Sequence, residues 1–146
     1  MVYERTRSSS GTFTLARVLL ADDDTATRLT LQTVLEAGGY HVDSAASAAE
    51  AVGKLDEKEY ELVLSEMDME FPASGLKVIA HARMMDYKPA TAVLRTESNA
   101  PEDRQMRRML VAPENLPEFL SQVAALISQR ATKRLAREMR QQVTVG

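Results

Sequence analysis

The sequence predicts an α/β fold, in which helices cover both faces of a parallel β-sheet. Short apolar runs typical of buried strands alternate along the chain with stretches whose apolar residues recur at helical spacing. Parallel strands need crossover connections, and helices in those connections cover both faces of the sheet. With 146 residues, the chain is long enough to bury one hydrophobic core.

The first strand and helix lie near the start of this pattern. The apolar run at residues 18–21 ends in three consecutive aspartates. Leu31, Val34 and Leu35 then recur at helical spacing before Gly38. This order predicts a strand followed by an amphipathic helix.

A second strand and helix follow directly. Residues 41–45 form a weaker strand pattern, and Ser47 and Glu50 have the spacing of a capping box at the start of a helix. The apolar face of this helix carries Ala48, Val52 and Leu55.

The second half of the chain supplies three more strands, predicted at residues 62–65, 91–94 and 109–112. A loop at residues 67–74 precedes a third helix with a short stripe of Leu76, Ile79, Ala80 and Arg83. Residues 115–118 cap a long final helix, whose sheet-facing stripe is predicted to comprise Leu116, Phe119, Leu120, Val123 and Ile127.

Composition divides the chain into three parts: a flexible leader at 1–16, a domain at 17–128 and a basic extension of the last helix at 129–146. Five basic residues and one glutamate give residues 128–146 a net charge of +4. Because the whole chain has a net charge of −3, the remaining residues have a net charge of −7. Leu135, Met139 and Val143 recur every four residues there. That stripe favours packing against a partner or a second copy over stacking on nucleic-acid bases.

Several classes of protein are excluded or disfavoured. The absence of cysteine removes disulfide frameworks, thiolate metal sites and cysteine nucleophiles. No apolar run reaches 18 residues, so we expect a cytoplasmic protein that does not cross a membrane. The two histidines and eight methionines have no ligand spacing, and no phosphate-binding glycine loop or catalytic triad order occurs. We do not expect an enzyme.

Acidic residues follow the first and third predicted strands. Asp22 and Asp23 follow the first strand, Glu66 and Asp68 the third, and Thr96 the fourth. Ligands of doubly wound sheets bind at the carboxyl ends of the strands, and clustered carboxylates that share a cation suit Mg²⁺. A simpler interpretation, in which aspartates only cap helices, remains open at this stage.

The order and spacing of four segments resemble the receiver domain of response regulators in two-component signalling, over roughly residues 16–128. These segments are residues 17–24, residues 60–66, residues 75–79 and Thr96. The resemblance implies a flavodoxin-like, five-stranded sheet in the order 2-1-3-4-5. It also implies a phosphoryl-accepting aspartate on the third strand and partners such as a histidine kinase or a downstream effector.

Residue by residue, the resemblance assigns a metal site and a hydroxyl contact. The acidic pair that holds Mg²⁺ is Asp22 and Asp23, and the carbonyl of Asp68 would be a further metal ligand. Thr96 provides the strand-four hydroxyl that contacts the phosphoryl group.

Two positions depart from the family pattern at the reacting centre. Glu66 replaces the phosphoacceptor aspartate, and Ala112 replaces the strand-five lysine, although the proline that follows it survives as Pro113. The resemblance implies that the Ala112–Pro113 bond is cis, because the family's bond at this position is usually cis and X–Pro bonds have only a small trans preference. Met109 occupies the switch position that usually holds an aromatic residue. Only 15 residues separate Thr96 from Ala112, so we expect a shortened fourth helix.

These departures predict a degenerate pseudo-receiver: a stand-alone signalling module that works without phosphorylation and binds Mg²⁺ weakly. The favoured hypothesis is protein–protein docking, with a kinase, an effector or a self-dimer through the C-terminal helix. Glu66 as a fixed mimic of the phosphorylated state and Asp68 as a substitute acceptor remain less favoured. A nucleic-acid-associated regulator using residues 129–146 is the alternative function.

Overall fold

The computed structural model describes residues 16–95 and 108–145. The strands of this part are β1 (Arg17–Ala21), β2 (His41–Ala45), β3 (Leu62–Glu66), β4 (Ala90–Arg95) and β5 (Arg108–Leu110). The helices are α1 (Thr25–Ala37), α2 (Ala48–Glu57), α3 (Ser74–Arg83) and α4 (Leu116–Val145), with a short 3₁₀ turn at Pro113–Asn115. No helix of the described ranges is long and apolar enough to cross a membrane.

The strands form one sheet in the order β2-β1-β3-β4-β5, and every described pair is parallel. The α/β fold with a parallel sheet and the 2-1-3-4 order of its first four strands are confirmed. β5 is a three-residue strand whose Met109 lies level with Leu94 of β4. The leader, Thr96 and the segment predicted to hold the shortened fourth helix fall outside the described residues, apart from Ala16.

Side chains of each strand alternate between two hydrophobic layers. Val18 and Leu20 of β1 point toward the layer that holds α1 and α4, whereas Leu19 and Ala21 point toward the layer of α2 and α3. All four residues are fully buried. β1 therefore packs against helices on both faces of the sheet, which explains its uninterrupted apolar sequence.

Helix starts agree with the sequence pattern. The Asp24 carboxylate caps α1 by accepting hydrogen bonds from the backbone N–H of Thr27 at 2.9 Å and from its hydroxyl at 2.6 Å. The Ser47 hydroxyl caps α2 by accepting from the backbone N–H of Glu50 at 3.0 Å. The Glu50 carboxylate accepts in turn from the N–H of Ala46, one residue before the cap.

The predicted stripe of α3 is mostly wrong. Ile79 is buried as expected, but Leu76, Ala80 and Arg83 are exposed, and the helix instead buries Val78 and Ala82. The buried face of this helix also includes Gly75, which lies in close contact with the end of β3. Spacing alone does not predict that contact.

The final helix confirms the prediction that it runs well past Arg137, since α4 continues for 30 residues to Val145. The five predicted stripe residues pack on the α1 side of the sheet, joined by Leu126. Beyond them, Leu135 and Met139 are 57% and 58% exposed. The second half of α4 therefore extends past the domain that its first half covers.

The predicted cis bond before Pro113 is wrong, because the described backbone contains no cis peptide. Ala112 is extended, with φ −142° and ψ 157°, and Pro113 starts the 3₁₀ turn that leads into α4. A trans bond suits proline at the first position of a helical turn, where its missing N–H is not needed.

Gly75 lies where α3 approaches the end of β3 too closely for any side chain. Its N–H donates to the carbonyl of Met67 at 2.7 Å. A Cβ at this position would lie 1.9 Å from the Glu66 carbonyl oxygen, which is backbone and cannot rotate away. The contact fixes the loop between β3 and α3 directly beside Glu66.

We expect Gly75→Ala to lower the free energy of unfolding by about 2 to 3 kcal/mol, because the added methyl must displace backbone. Gly53→Ala in α2 is the matched control, since its Cβ would meet nothing within 4 Å. That control should raise stability by up to about 1 kcal/mol through helix propensity. Urea denaturation of both variants measures the difference, and equal effects would contradict the close-contact interpretation.

Candidate functional site

The candidate site lies at the carboxyl ends of β1 and β3. Parallel pairing keeps Ala21 of β1 level with Ser65 of β3, so the residues that follow them lie side by side. The backbone N–H of Asp22 still donates to Ala45 of β2 at 3.0 Å, which holds this aspartate in line with its strand. The structure thus brings Asp22 and Glu66 to one edge, as the sequence predicts.

Asp22 is buried, with 2% of its surface exposed. One carboxylate oxygen, Oδ1, accepts from the backbone N–H of Asp24 at 3.0 Å. The other, Oδ2, is fully buried and has no hydrogen-bond partner among the described residues. Burial raises the pKa of Asp22, and the neighbouring charges of Asp23 and Asp24 raise it further.

Glu66 experiences the same crowding. Burial is the largest cause that raises the pKa of its carboxyl to about 7, and the charges of Asp22, Asp23 and Asp68 add to it. A hydrogen bond from the backbone N–H of Met67 offsets only part of the shift. At neutral pH a substantial fraction of Glu66 is therefore protonated when no cation is bound.

The donor chemistry of this edge fits a hard divalent cation, because every side chain there offers carboxylate oxygen. The unpartnered Oδ2 of Asp22 and the raised pKa of Glu66 both indicate excess negative charge. The described residues nevertheless contain no group of three or more acidic or histidine side chains that could hold a metal ion. The side chains would have to move to complete such a site.

The loop between β3 and α3 is held by its own hydrogen bonds. The Asp68 carboxylate accepts from the backbone N–H of Ala73 at 2.6 Å, and the Ser74 hydroxyl accepts from Met69 at 2.9 Å. Ala73 adopts the left-handed region with φ 64°, a conformation that costs about 1 kcal/mol for a residue with a Cβ. These bonds turn the Asp68 side chain toward α3.

Glu70 was not identified from the sequence as important, yet it ties this loop to α2. Its two carboxylate oxygens accept from the backbone N–H groups of Ala48 at 2.8 Å and Ala49 at 3.0 Å. These bonds lower the pKa of Glu70. Because the partners lie over 20 residues away, no local pattern could have revealed this contact.

Arg28 supplies a positive charge that sequence reasoning also missed. Its guanidinium donates to the backbone carbonyl of Asp22 at 2.8 Å. Its charge partly offsets the rise in the pKa of the Asp22 side-chain carboxyl. Arg28 lies four residues after Asp24 on α1, which places it one turn into the helix. It stabilises the end of β1 but does not remove the excess of carboxylates.

Among the residues that the structure describes, the edge near β5 is apolar. Ala112 is half-buried and, with Val111, Pro113 and Leu116, lines a groove of about 320 Å³ against the first turns of α1. Met109, at the predicted switch position, is buried in the core at 2% exposure. Thr96 lies outside the described residues, so its hydroxyl contact stays a prediction.

Comparison with known proteins gives one consistent family. The family model of the response regulator receiver domain matches residues 18–112. The transcriptional regulatory protein PrrA of Mycobacterium tuberculosis is 28% identical over 139 residues, which cover 91% of this chain and 58% of PrrA. The chain thus spans little more than half the length of that relative.

Two further relatives match over nearly their full length. The response regulator receiver protein CpdR of Brucella abortus is 27% identical over 121 residues, covering 77% of this chain and 98% of CpdR. The crystal structure of the response regulator TrrA of Thermotoga maritima, in complex with Mg²⁺ and BeF, is 26% identical with a TM-score of 0.66, covering 77% and 99%. TrrA has also been solved in complex with the histidine kinase ThkA.

The raised pKa of Glu66 predicts that stability falls as pH rises. The folded protein holds this proton more tightly than the unfolded chain between the ordinary value of 4.5 and about 7, so ionisation across that range favours unfolding. We expect Glu66→Gln to lose less folding stability than wild type as the pH rises. It should also be more stable than wild type at pH 8 with a chelator present.

Urea denaturation at pH 5 and pH 8 measures this effect. Glu118→Gln, at an exposed position in the first turn of α4, is the control and should keep the wild-type pH dependence. An unchanged pH dependence in Glu66→Gln would contradict the assignment.

Proposed function

This chain belongs to the response regulator receiver domain family of two-component signalling, and we propose that it acts as a pseudo-receiver that docks to other proteins without accepting a phosphoryl group. The observation that carries this proposal is the pair of replacements at the reacting centre, Glu66 and Ala112. We further propose that it works in the cytoplasm and has no catalytic activity of its own.

Glu66 is a poor substitute for an acceptor aspartate in position and in charge. Its side chain has one additional carbon–carbon bond, which extends the carboxylate by up to ~1.5 Å. Phosphoryl transfer depends on positioning, and a displacement near 1 Å can slow a reaction about 100-fold. Its pKa of about 7 also leaves much of the carboxyl protonated, and therefore less nucleophilic, near neutral pH.

Ala112 removes the cation that would stabilise the transferred group. Within the described part of the chain, alanine at this position lines an apolar groove rather than a charged pocket. Arg28 does not replace the lysine, because its guanidinium is bonded to the backbone carbonyl of Asp22. The loss of the strand-five lysine also argues against Glu66 as a fixed mimic of the phosphorylated state, since such a mimic needs a positive partner.

Weak Mg²⁺ binding fits the remaining acidic residues. Asp22 and Asp23 would hold the ion, with the carbonyl of Asp68 as a further ligand. The unpartnered Oδ2 of Asp22 supports this proposal, as does the complex of the relative TrrA with Mg²⁺ and BeF. A bound ion would neutralise the crowded carboxylates and lower the pKa of Glu66.

Two kinds of docking partner have support. One is a histidine kinase or downstream effector, because the relative TrrA forms a complex with the kinase ThkA. The other is a second copy of this chain, bound through the part of α4 that extends beyond the domain. Leu135 and Met139 in this part are more than half exposed.

We expect the wild-type protein to form no acyl phosphate when it is incubated with Mg²⁺ and acetyl phosphate. Replacing Glu66→Asp together with Ala112→Lys should restore labelling, and each single change should restore less, since these residues act as a unit. Intact-protein mass spectrometry measures the adduct.

Glu57→Asp combined with Ala80→Lys is the control, because both positions are exposed and remote from the site. A phosphoryl adduct on Glu66 or Asp68 of the wild-type protein would refute the pseudo-receiver proposal.

Truncation after Ser128 should convert a self-associated protein to a monomer while leaving the domain folded, because the core stripe of α4 ends at Ile127. Leu135→Asp should act in the same direction. Leu29→Asp, at a leucine of α1 that is 55% exposed, should leave the mass unchanged. Light scattering measures the oligomeric state, and a monomeric wild-type protein would exclude the self-association.

A further inference from the structure

A groove lies between the C-terminal ends of α2 and α3, at the opposite end of the strands from the candidate site. We call it the acidic groove; its volume is about 400 Å³. One wall carries Asp56, Glu57 and Glu59, and the other carries Met84, Met85 and Asp86. Lys58 is the basic residue among those that line it.

The floor of the acidic groove is held in place and is negative in potential. The Tyr87 hydroxyl donates to the backbone carbonyl of Leu55 at 2.9 Å, which joins the two walls. Burial raises the pKa of Tyr87 to about 12, and the charges of Glu59 and Asp56 contribute. Met84 on the rim is 73% exposed. The groove therefore offers an occupant one acidic wall and a second wall that combines Met84 and Met85 with Asp86.

The second half of α4 begins beside this groove. The Arg130 guanidinium donates to the backbone carbonyls of Tyr87 at 2.6 Å and Lys88 at 2.9 Å, which fixes where the helix leaves the domain. Residues 131–145 then continue as helix for about 22 Å without glycine or proline. A continuous helix cannot turn back, so this helical extension cannot fill its own groove.

The exposed side of the helical extension has two edges that match the two walls. Lys133 and Arg137 lie one turn apart on one edge, and Leu135 and Met139 lie one turn apart on the other. All four side chains are exposed. Ala136 lies between the edges, so a small side chain would face the groove floor. An occupant with this pattern would place charge against the acids and apolar groups against Met84 and Met85.

We propose that each helical extension lies in the acidic groove of a second copy, so that two chains exchange extensions about a two-fold axis. This inference rests on the proposed self-association and specifies its surface. Each extension starts beside its own groove, so one two-fold axis can fill both grooves and close the dimer. Direct pairing of two extensions would instead bring two basic helices together, which like-charge repulsion disfavours.

The test uses two charge-reversed chains. The first carries Lys133→Glu and Arg137→Glu in the helical extension, and the second carries Glu57→Lys and Glu59→Lys in the acidic groove. Each chain alone faces like charges in its own dimer, so its dimer dissociation constant should rise at least about tenfold in sedimentation velocity at low salt. An equimolar mixture should recover dimers, because each extension then meets a groove of opposite charge.

The control chain carries Glu114→Lys and Glu118→Lys, at exposed positions near the start of α4. These substitutions change the net charge by the same amount as those in the groove chain, but this control should dimerise as the wild type does. Thermal denaturation by circular dichroism verifies that each chain is folded. The proposal is overturned if the wild type is monomeric, if either reversed chain dimerises like wild type, or if the mixture stays monomeric.

These outcomes distinguish the proposed groove contact from self-association in general and from the pseudo-receiver proposal. Dimers that are lost on truncation but unaffected by charge reversal would keep self-association and reject the groove. A phosphoryl adduct on the wild-type protein would reject the pseudo-receiver proposal without affecting the dimer.

Discussion

Parallel pairing of β1 with β3 keeps Ala21 level with Ser65, and the properties of the candidate site follow from this register. The register brings the carboxylates of Asp22 and Glu66 together at a buried edge, where burial and mutual repulsion favour their protonated forms. Gly75 then allows α3 to start against the Glu66 carbonyl, so the acidic edge is enclosed by backbone. The fold itself imposes the excess of negative charge.

That excess explains why two replacements have such a large expected effect. A receiver site with a metal and a lysine can offset several carboxylates, and the transferred phosphoryl group adds further negative charge. Here Ala112 contributes no charge, and Arg28 is engaged with the backbone of Asp22. The domain retains the packing of the family, and the proposed loss of phosphoryl transfer rests on this excess of negative charge.

The two halves of the long C-terminal helix, α4, make different contacts. Its first half buries Phe119 and Val123 against the sheet, whereas its second half lacks a core of its own. An isolated helix of about 15 residues is marginal in water, so the proposed partner surface would add to the stability of this extension. The acidic groove lies at the end of the domain from which this helix emerges, which links the charge asymmetry of the sequence to one region of the fold.

Much of the fold could be predicted because its signals are local. Asp24 and Ser47 cap helices through bonds to residues three positions away, and the β1 run is apolar throughout because helices cover both faces of its sheet. Placing Glu66 at the end of the third strand needed only the register of a short apolar run, whereas assigning Ala112 to the lysine position relied on the resemblance to the receiver family. These features depend on neighbours in sequence.

The sequence by itself therefore determined the α/β class, the helix caps, the acidic edge and the length of α4. The tertiary structure decided the rotation of α3, the Glu70 bonds to α2 and the trans bond before Pro113. It also decided that Arg130 would attach α4 beside the acidic groove. Each of these depends on a contact or a backbone geometry that forms only when distant segments pack, and spacing along the chain carries no information about such contacts.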